Sequence, residues 1–368
     1  MMKTISNIYI HIPFCLRKCN YCSFYSEAET PFDDYFVALK KEIRQYQKQY
    51  RIKADTIYFG GGTPSLVKPS VLQDIISLFD LKNNCEITLE ANPITITEKY
   101  TDEISLTKIN RVSLGVQSFI DKELEMLGRL HKTAEVDSAI KYLKNNGINN
   151  ISLDLMYGLP FQKKSDLLYS LEKIIAKNPV HISTYCLSLE KDVPMYSLKK
   201  DIPDDEIVAD FYQSISDFLV DNSYNRYEIS NFSKKGFESK HNLSYWNLSN
   251  YLGFGASASG FVDNLRYVNF ADTEKYINAV NNSKKCYSAN SLTANDRKSE
   301  YIFLGLRKSN GISFQKYNEL FNSDIFRDFG KVINKYVDSN FLVVENDNLK
   351  LAEKSYFISN EIFSDFIL

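Results

Sequence analysis

The stretch Ile8-Tyr9-Ile10-His11-Ile12-Pro13-Phe14-Cys15-Leu16-Arg17-Lys18-Cys19-Asn20-Tyr21-Cys22 decides how this chain is read. Ile8–Ile12 is a short β-rich run. Three cysteines crowd into the loop beyond it, where α/β proteins place their chemistry. Clustered thiolates bind soft metals. Structural zinc prefers four ligands, commonly as two closely spaced cysteine pairs; here the thiols number three, and no second pair occurs anywhere in the chain. Three thiolates suit a [4Fe–4S] cluster with one iron open to a substrate or cofactor, whereas four would close it. The competing reading is a zinc site completed by a distant ligand such as His11.

Outward from that loop the hydrophobic pattern alternates in period. Strand-like runs at Thr56–Phe59, Glu86–Ala91, Arg111–Val116, Ile151–Leu155 and His181–Leu187 are separated by apolar positions at helical spacing. The helical stretches include Tyr35, Phe36, Leu39, Ile43 and Tyr46; Val71 to Phe79; a weaker one reaching Leu106; Val136 to Leu143, with Gly147 as C-cap; and Leu167–Ile175. Six βα repeats predict an α/β protein with a parallel sheet. Periodicity alone leaves open a doubly wound sheet or a partial barrel. After about residue 200 the rhythm changes. Asp204–Asn222 reads as one helix, and Ser223–Gly260, rich in Tyr, Asn, Ser and Gly, as an extended binding loop. From Asn295 helices precede a hairpin, Phe341–Val344 and Leu349–Ala352, which predicts a small winged-helix-like α+β module.

Composition bounds the function. Of 368 residues, 44% are hydrophobic and 24% charged, which excludes a disordered, collagen-like or coiled-coil chain. A net charge of -2 advertises no nucleic-acid partner. No apolar run approaches the roughly 18 residues needed to span a bilayer, and Asn7, His11 and Pro13 interrupt any signal-peptide core. The expectation is a cytoplasmic protein with reduced thiols. Cys85, Cys186 and Cys286, isolated among apolar neighbours, are expected to be buried bystanders. The 25 tyrosines beside one tryptophan suit a site for a large flat ligand and suit ordinary surface packing equally well.

Polar residues recur at the predicted strand ends. Gly60-Gly61-Gly62-Thr63-Pro64 follows the second strand, and glycine lets backbone amides approach a carboxylate closely. Glu90 and Asn92 end the third strand, Gln117 the fourth, and Asp154 lies in the fifth. At the C-terminal ends of parallel strands such residues point into one cleft.

The Cys-x3-Cys-x2-Cys spacing after the first strand resembles the signature of radical S-adenosylmethionine (SAM) proteins. That resemblance implies a partial (β/α)6 barrel, an open iron that chelates the amino and carboxylate groups of SAM, and one-electron cleavage of SAM to a deoxyadenosyl radical. The cofactors carry that chemistry while the protein holds and shields them. Tyr9-Ile-His-Ile-Pro-Phe-Cys15, Arg111-Val-Ser-Leu-Gly-Val-Gln-Ser118, Gly128-Arg-Leu-His131 and Asp154-Leu-Met-Tyr-Gly-Leu-Pro160 resemble the oxygen-independent coproporphyrinogen III oxidase group. The likeness continues through Phe303-Leu-Gly-Leu-Arg307 and Gly311-Ile312, and covers almost the whole chain. Carried over by motif, Tyr9, Gly61, Gly62, Thr63, Glu90, Gln117, Arg129 and Asp154 are the expected SAM contacts. The Arg129 fork suits a carboxylate, Glu90 the SAM ammonium and Asp154 a ribose hydroxyl. Tyr185 is placed near the adenine.

Two branches of that group matter. The decarboxylase resembles Cys-x3-Cys-x2-Cys-x-Cys with a long N-terminal extension; this chain has Phe24 at the last position and seven residues before Ile8. The heme-chaperone branch resembles this chain in its Phe and in a His-Asn-x-x-Tyr-Trp motif, here His241-Asn242-Leu-Ser-Tyr245-Trp246. The resemblance implies a heme chaperone that carries a [4Fe–4S] cluster and SAM and passes heme to an acceptor protein. It also implies an electron donor for the cluster and at most transient membrane association. His241, Asn242, Tyr245 and Trp246 are the candidate heme contacts. Histidine is a common heme ligand, and Tyr and Trp pack against a flat macrocycle while keeping a polar edge. The alternative is that His241 and Trp246 pin a long loop to the barrel. Val193 and Ser355 depart from the Thr and Gly usual at those positions. The expected division is a barrel over 1–230, a connecting segment with the heme motif over 231–290, and a C-terminal module over 291–368.

Overall fold

The computed structural model describes residues 2–368. Six strands, β1 (Thr4–Ile12), β2 (Arg51–Gly61), β3 (Asp80–Ala91), β4 (Arg111–Gln117), β5 (Asn150–Tyr157) and β6 (His181–Cys186), pair in sequence order and all parallel. The intervening helices are α1 (Asp33–Gln47), α2 (Pro69–Ile76), α3 (Glu98–Ile104), α4 (Asp121–Met126), α5 (Thr133–Asn145) and α6 (Lys164–Ala176), and α7 (Asp205–Asp221) follows β6. This is the expected α/β partial barrel.

The strands alternate cleanly by face. Ile8 and Ile10 of β1, Ile57 and Phe59 of β2, Leu89 of β3, Val112 and Leu114 of β4, and Leu153 and Leu155 of β5 are completely buried, or nearly so, in the main hydrophobic core. The residues between them carry Tyr9 and His11, Tyr58, Glu90, Arg111 and Ser113, Ser152 and Asp154, and His181 and Ser183. Successive side chains on a strand point to opposite faces, so the apolar set faces the helices and the polar set lines the barrel interior. A parallel sheet buried only for stability would read apolar on both faces. This interior is built to meet a ligand.

Both edges of the barrel are extended by segments that the sequence reading assigned to a loop and a connector. β7 (Asn225–Arg226) and β8 (Asn231–Ser233) add antiparallel to β6. After α8 (Lys240–Trp246), β9 (Tyr251–Phe254) lies parallel to the far side of β1, followed by β10 (Ser259–Val262), β11 (Leu265–Asn269), α9 (Thr273–Asn281) and β12 (Tyr287–Ser291). The result, among the described residues, is one open sheet of twelve strands. The stretch 223–260 is therefore not an extended binding loop, and 231–290 continues the barrel sheet. Its strands are short and glycine-interrupted, which hides the period of two. The glycines are needed there: a Cβ on Gly253 would meet Ser259 O of β10, and one on Gly260 the ring of Tyr267. Glu42 of α1 locks the extension on. Its fully buried carboxylate accepts from Gly255 N (2.9 Å), Asn269 Nδ2 (2.8 Å) and Tyr276 Oη (2.7 Å).

The C-terminal module comprises α10 (Ala294–Gly305), β13 (Ile312–Ser313), α11 (Phe314–Phe321), α12 (Ile325–Asp338), the hairpin β14 (Leu342–Glu345) and β15 (Asn348–Leu351), and α13 (Ser359–Ser364). It meets the barrel where Arg226 lies over the Tyr356 ring at 3.7 Å and Ser309 N donates to Tyr227 O at 3.0 Å. No helix among the described residues is long and apolar enough to cross a membrane.

Candidate functional site

The cysteine loop is fixed by backbone bonds from Cys15 N to Glu27 O (2.9 Å) and from Asn20 N to Leu127 O (3.0 Å). Beside it runs the glycine turn after β2, with Gly62 N donating to Ile12 O (2.8 Å) and Thr63 N to Phe14 O (2.7 Å). Only glycine fits here. Gly61 has φ +113°, and a Cβ would stand 2.6 Å from the His11 ring; at Gly62 it would stand 2.6 Å from Phe14 O. The Thr63 hydroxyl donates to Cys15 Sγ at 3.5 Å.

Cys15, Cys19 and Cys22 stand on a cavity of about 450 Å³ at the C-terminal ends of the strands. The same cavity is lined by Gly61, Gly62, Thr63, Glu90, Gln117, Arg129 and Asp154, and by Tyr185. Of the expected SAM contacts only Tyr9 lies elsewhere: its hydroxyl bonds His11 Nδ1 at 3.0 Å, and it lines an adjoining cleft.

The lining is electrostatically polarised. Glu90 accepts from Tyr58 Oη (2.7 Å) and Gly61 N (3.2 Å), while burial pushes its carboxyl up to about 7. Burial also raises Asp154, against the pull of the Ser183 and Ser113 hydroxyls, the latter at 3.1 Å. Burial disfavours the Arg129 charge, but Tyr21 and Cys19 beside it outweigh that and hold its pKa above the usual arginine value. Arg129 donates to Gly115 O (2.6 Å) and Cys19 Sγ (3.5 Å), and its buried Nε has no partner. Gln117, held at φ +72°, leaves a buried Oε1 without a partner. Strain and orphaned polar atoms at a strand end mark a site shaped for a ligand. A zwitterionic amino-acid group fits these donors: carboxylate to Arg129 and the glycine turn, ammonium to Glu90.

The zinc alternative fits worse. Among the described residues no three His, Cys, Asp or Glu side chains converge on a single-ion site. Both nitrogens of His11 are engaged, Nδ1 with Tyr9 and Nε2 with Tyr25 O (3.0 Å). A larger cluster bridging the three thiolates suits the arrangement better.

One of the expected bystanders is not buried. Cys186 is exposed and lines the cavity, because it is the last residue of β6, where the chain leaves the sheet. Two contributors went unread in the sequence: Tyr58, which donates to Glu90, and Arg111, whose buried guanidinium underlies the barrel interior. Their signal was a polar residue at every second strand position.

The His-Asn-x-x-Tyr-Trp segment is helix α8, tied to the barrel at its N-terminus, where Glu86 accepts from Lys240 N (3.2 Å) and His241 N (3.1 Å). His241 is 1% exposed. Its Nδ1 bonds Thr56 Oγ1 (2.7 Å), its Nε2 bonds Tyr245 Oη (2.8 Å), and burial pushes it down to about 3. As an iron ligand it is unavailable in this conformation. Tyr245 and Trp246 line an apolar cleft of about 300 Å³ with Tyr251, Phe303 and Leu304. Tyr245 and Tyr251 also line a second cleft, of about 230 Å³, which reaches Phe24 beside the cysteine loop. Asn242 lines neither; its backbone N–H donates to the Ser239 cap.

Comparison with known proteins agrees with this geometry. Residues 9–174 match the Radical SAM superfamily and residues 292–358 the HemN C-terminal domain. The heme chaperone HemW of Lactococcus lactis is 32% identical, the alignment covering 100% of this chain and 99% of that protein. The HemW of Bacillus subtilis is also 32% identical, over 99% of each. The HemN coproporphyrinogen III oxidase of Escherichia coli superposes with a TM-score of 0.85 at 19% identity, covering 100% of this chain and 90% of that one, and so shares the fold. On the cysteine cavity, the α8 motif and these full-length likenesses, the chain belongs to the HemW family of radical SAM proteins.

Proposed function

We propose that this protein binds heme and passes it to an acceptor protein. Cys15, Cys19 and Cys22 would hold a [4Fe–4S] cluster, with SAM beside it against Glu90, Arg129, Gln117 and Asp154. The Lactococcus lactis and Bacillus subtilis relatives are heme chaperones. The observation that carries the reading for this chain is the position of α8. It brings Tyr245 and Trp246 to an open aromatic cleft that continues, through Tyr245 and Tyr251, toward Phe24 at the cluster cavity. Apolar walls with a few polar groups suit a porphyrin. The Trp246 indole N–H is buried without a partner, and the Arg307 guanidinium lies over its ring at 4.5 Å.

When bound, the cluster would supply one electron and an open coordination position. The chain orients the amino-acid end of SAM through Arg129 and Glu90 and screens the cavity with Tyr21, Tyr58 and Tyr185. Phe24 and Leu16 stand 70% and 52% exposed beside the cysteines, an apolar rim for an acceptor protein in the cytoplasm. A separate electron donor would reduce the cluster.

Hemin titration of the anaerobically reconstituted protein tests the reading. A saturable Soret shift is expected, together with an iron–sulfur absorption that Cys19→Ala loses. Absence of hemin binding overturns it. Formation of protoporphyrinogen from coproporphyrinogen III, SAM and a reductant would replace it with an oxidative decarboxylase.

A further inference from the structure

We infer that Tyr245 ligates the heme iron through its phenolate, and that His241 is the positioning residue that orients this phenol. The inference rests on the heme-binding reading above. It starts from the hydrogen-bond chain behind α8. The Thr56 hydroxyl donates to Asn7 Oδ1 at 3.2 Å. Its oxygen is therefore the acceptor at 2.7 Å from His241 Nδ1, which carries the ring proton. Nε2 is then an acceptor, and the Tyr245 hydroxyl donates to it at 2.8 Å. The chain runs one way, from Tyr245 through His241 and Thr56 to Asn7. It uses both imidazole nitrogens and leaves no lone pair for a metal. It uses only the proton of Tyr245, so both oxygen lone pairs stay free.

Accessibility points the same way. His241 is 1% exposed and lies on the Tyr58 ring in the barrel interior. Tyr245 borders both aromatic clefts. Its ring is held edge-on by Tyr251, centroids 4.6 Å apart, and packs against His241 at 4.9 Å. Positions 241 and 245 are one turn apart on one helix face, the spacing that lets the imidazole reach the phenol. Tyrosinate is an established axial ligand class for heme, and a ligand oriented by a buried partner is the usual second layer of a metal site.

The step is a ligand exchange with no change in oxidation state. The Tyr245 O–H bond breaks and its electron pair forms the O–Fe(III) bond. The hydroxide that ferric hemin carries at that position takes the proton and leaves as water, while His241 stays neutral. Trp246 and Phe303 wall the cleft in which the macrocycle lies.

The test uses the full chain and ferric hemin, followed by Soret titration and resonance Raman spectroscopy. Wild type is expected to show iron–phenolate vibrations that Tyr245→Phe loses, with hemin held more weakly. His241→Gln, which keeps a hydrogen-bonding side chain, is expected to retain those vibrations while affinity falls roughly 10–100-fold. Circular dichroism of each variant checks the fold. Imidazole-ligated hemin that survives Tyr245→Phe and disappears in His241→Gln overturns the assignment but keeps the heme reading. Wild-type protein that binds no hemin overturns the heme reading itself.

Discussion

The imidazole of His241 stacks on the phenol ring of Tyr58, centroids 5.0 Å apart and planes 25° from parallel, and the hydroxyl of that phenol donates to Glu90 at 2.7 Å. One side chain thus joins α8 to the carboxylate expected to face SAM. The two functions of Tyr58 are separable. Tyr58→Phe keeps the stack and removes a donor from Glu90, so SAM binding weakens several-fold while stability changes little. Tyr58→Ala also removes the ring stacked on His241 and is expected to cost about 1–3 kcal/mol. Denaturant midpoints and SAM titration of the two variants check this, and equal SAM affinities in wild type and Tyr58→Phe would remove the proposed link.

Arg129 is already committed to Gly115 O and Cys19 Sγ, and still has a free Nε. Lysine offers a point charge and cannot span that fork. Arg129→Lys is expected to fold and to keep its cluster, but to bind SAM with a loss of about 1.5–3 kcal/mol, the value of a charge-assisted bond. Calorimetric titration of the reconstituted protein measures this. Cluster loss in the variant would shift the role of Arg129 from SAM to the Cys19 thiolate.

The pH dependence of SAM binding follows from Glu90. Burial holds its carboxyl up to about 7, so below that pH the free protein carries a proton there that an incoming ammonium must expel. Affinity is therefore expected to fall as pH drops below about 7, approaching tenfold per pH unit, and to level off above it. Glu90→Gln should be weak and flat across the range. Proton release on binding, measured in buffers of different ionisation enthalpy, reports the same event. A wild-type profile as flat as that of the variant would remove Glu90 as the ammonium partner.

Most of the barrel was legible because each of its strands carries an unbroken run of two-fold alternation, as in Arg111–Gln117, and is bounded by turn residues. The cavity was legible because Cys15, Gly61, Glu90 and Gln117 all fall at strand ends, which a parallel sheet gathers at one edge. What was illegible depended on distant pairing. β8 and β9 are three and four residues long and exist because β6 and β1 offer free edges to them. Tyr58 and Arg111 read as ordinary strand residues until the closed side of the sheet turned them toward Glu90. His241 looked like a ligand by residue type. Only its partners, Thr56 from β2 and Tyr245 from its own helix, show that its nitrogens are spent.

Glu42 fastens the edge strands to α1, and its titration is expected to show in global stability. The folded protein holds this carboxyl at about 7, pushed up by burial against the donors Gly255, Tyr276 and Asn269. An unfolded chain would lose that proton near pH 4.3. The folded state therefore binds the proton more tightly, and the contribution of Glu42 is greatest below about pH 4.3, declines as pH rises toward 7, and is constant above. Glu42→Gln abolishes that slope. It also sets an amide N–H2 against one of the donors, at a cost of about 1–3 kcal/mol at every pH. Guanidinium unfolding of both proteins at a series of pH values isolates the effect, since every other titrating group is common to the two. Parallel stability curves would mean that folding leaves the Glu42 pKa unchanged, its donors offsetting its burial. Curves that converge as pH rises toward 7 would show that the folded protein holds Glu42 protonated more tightly than the unfolded chain does.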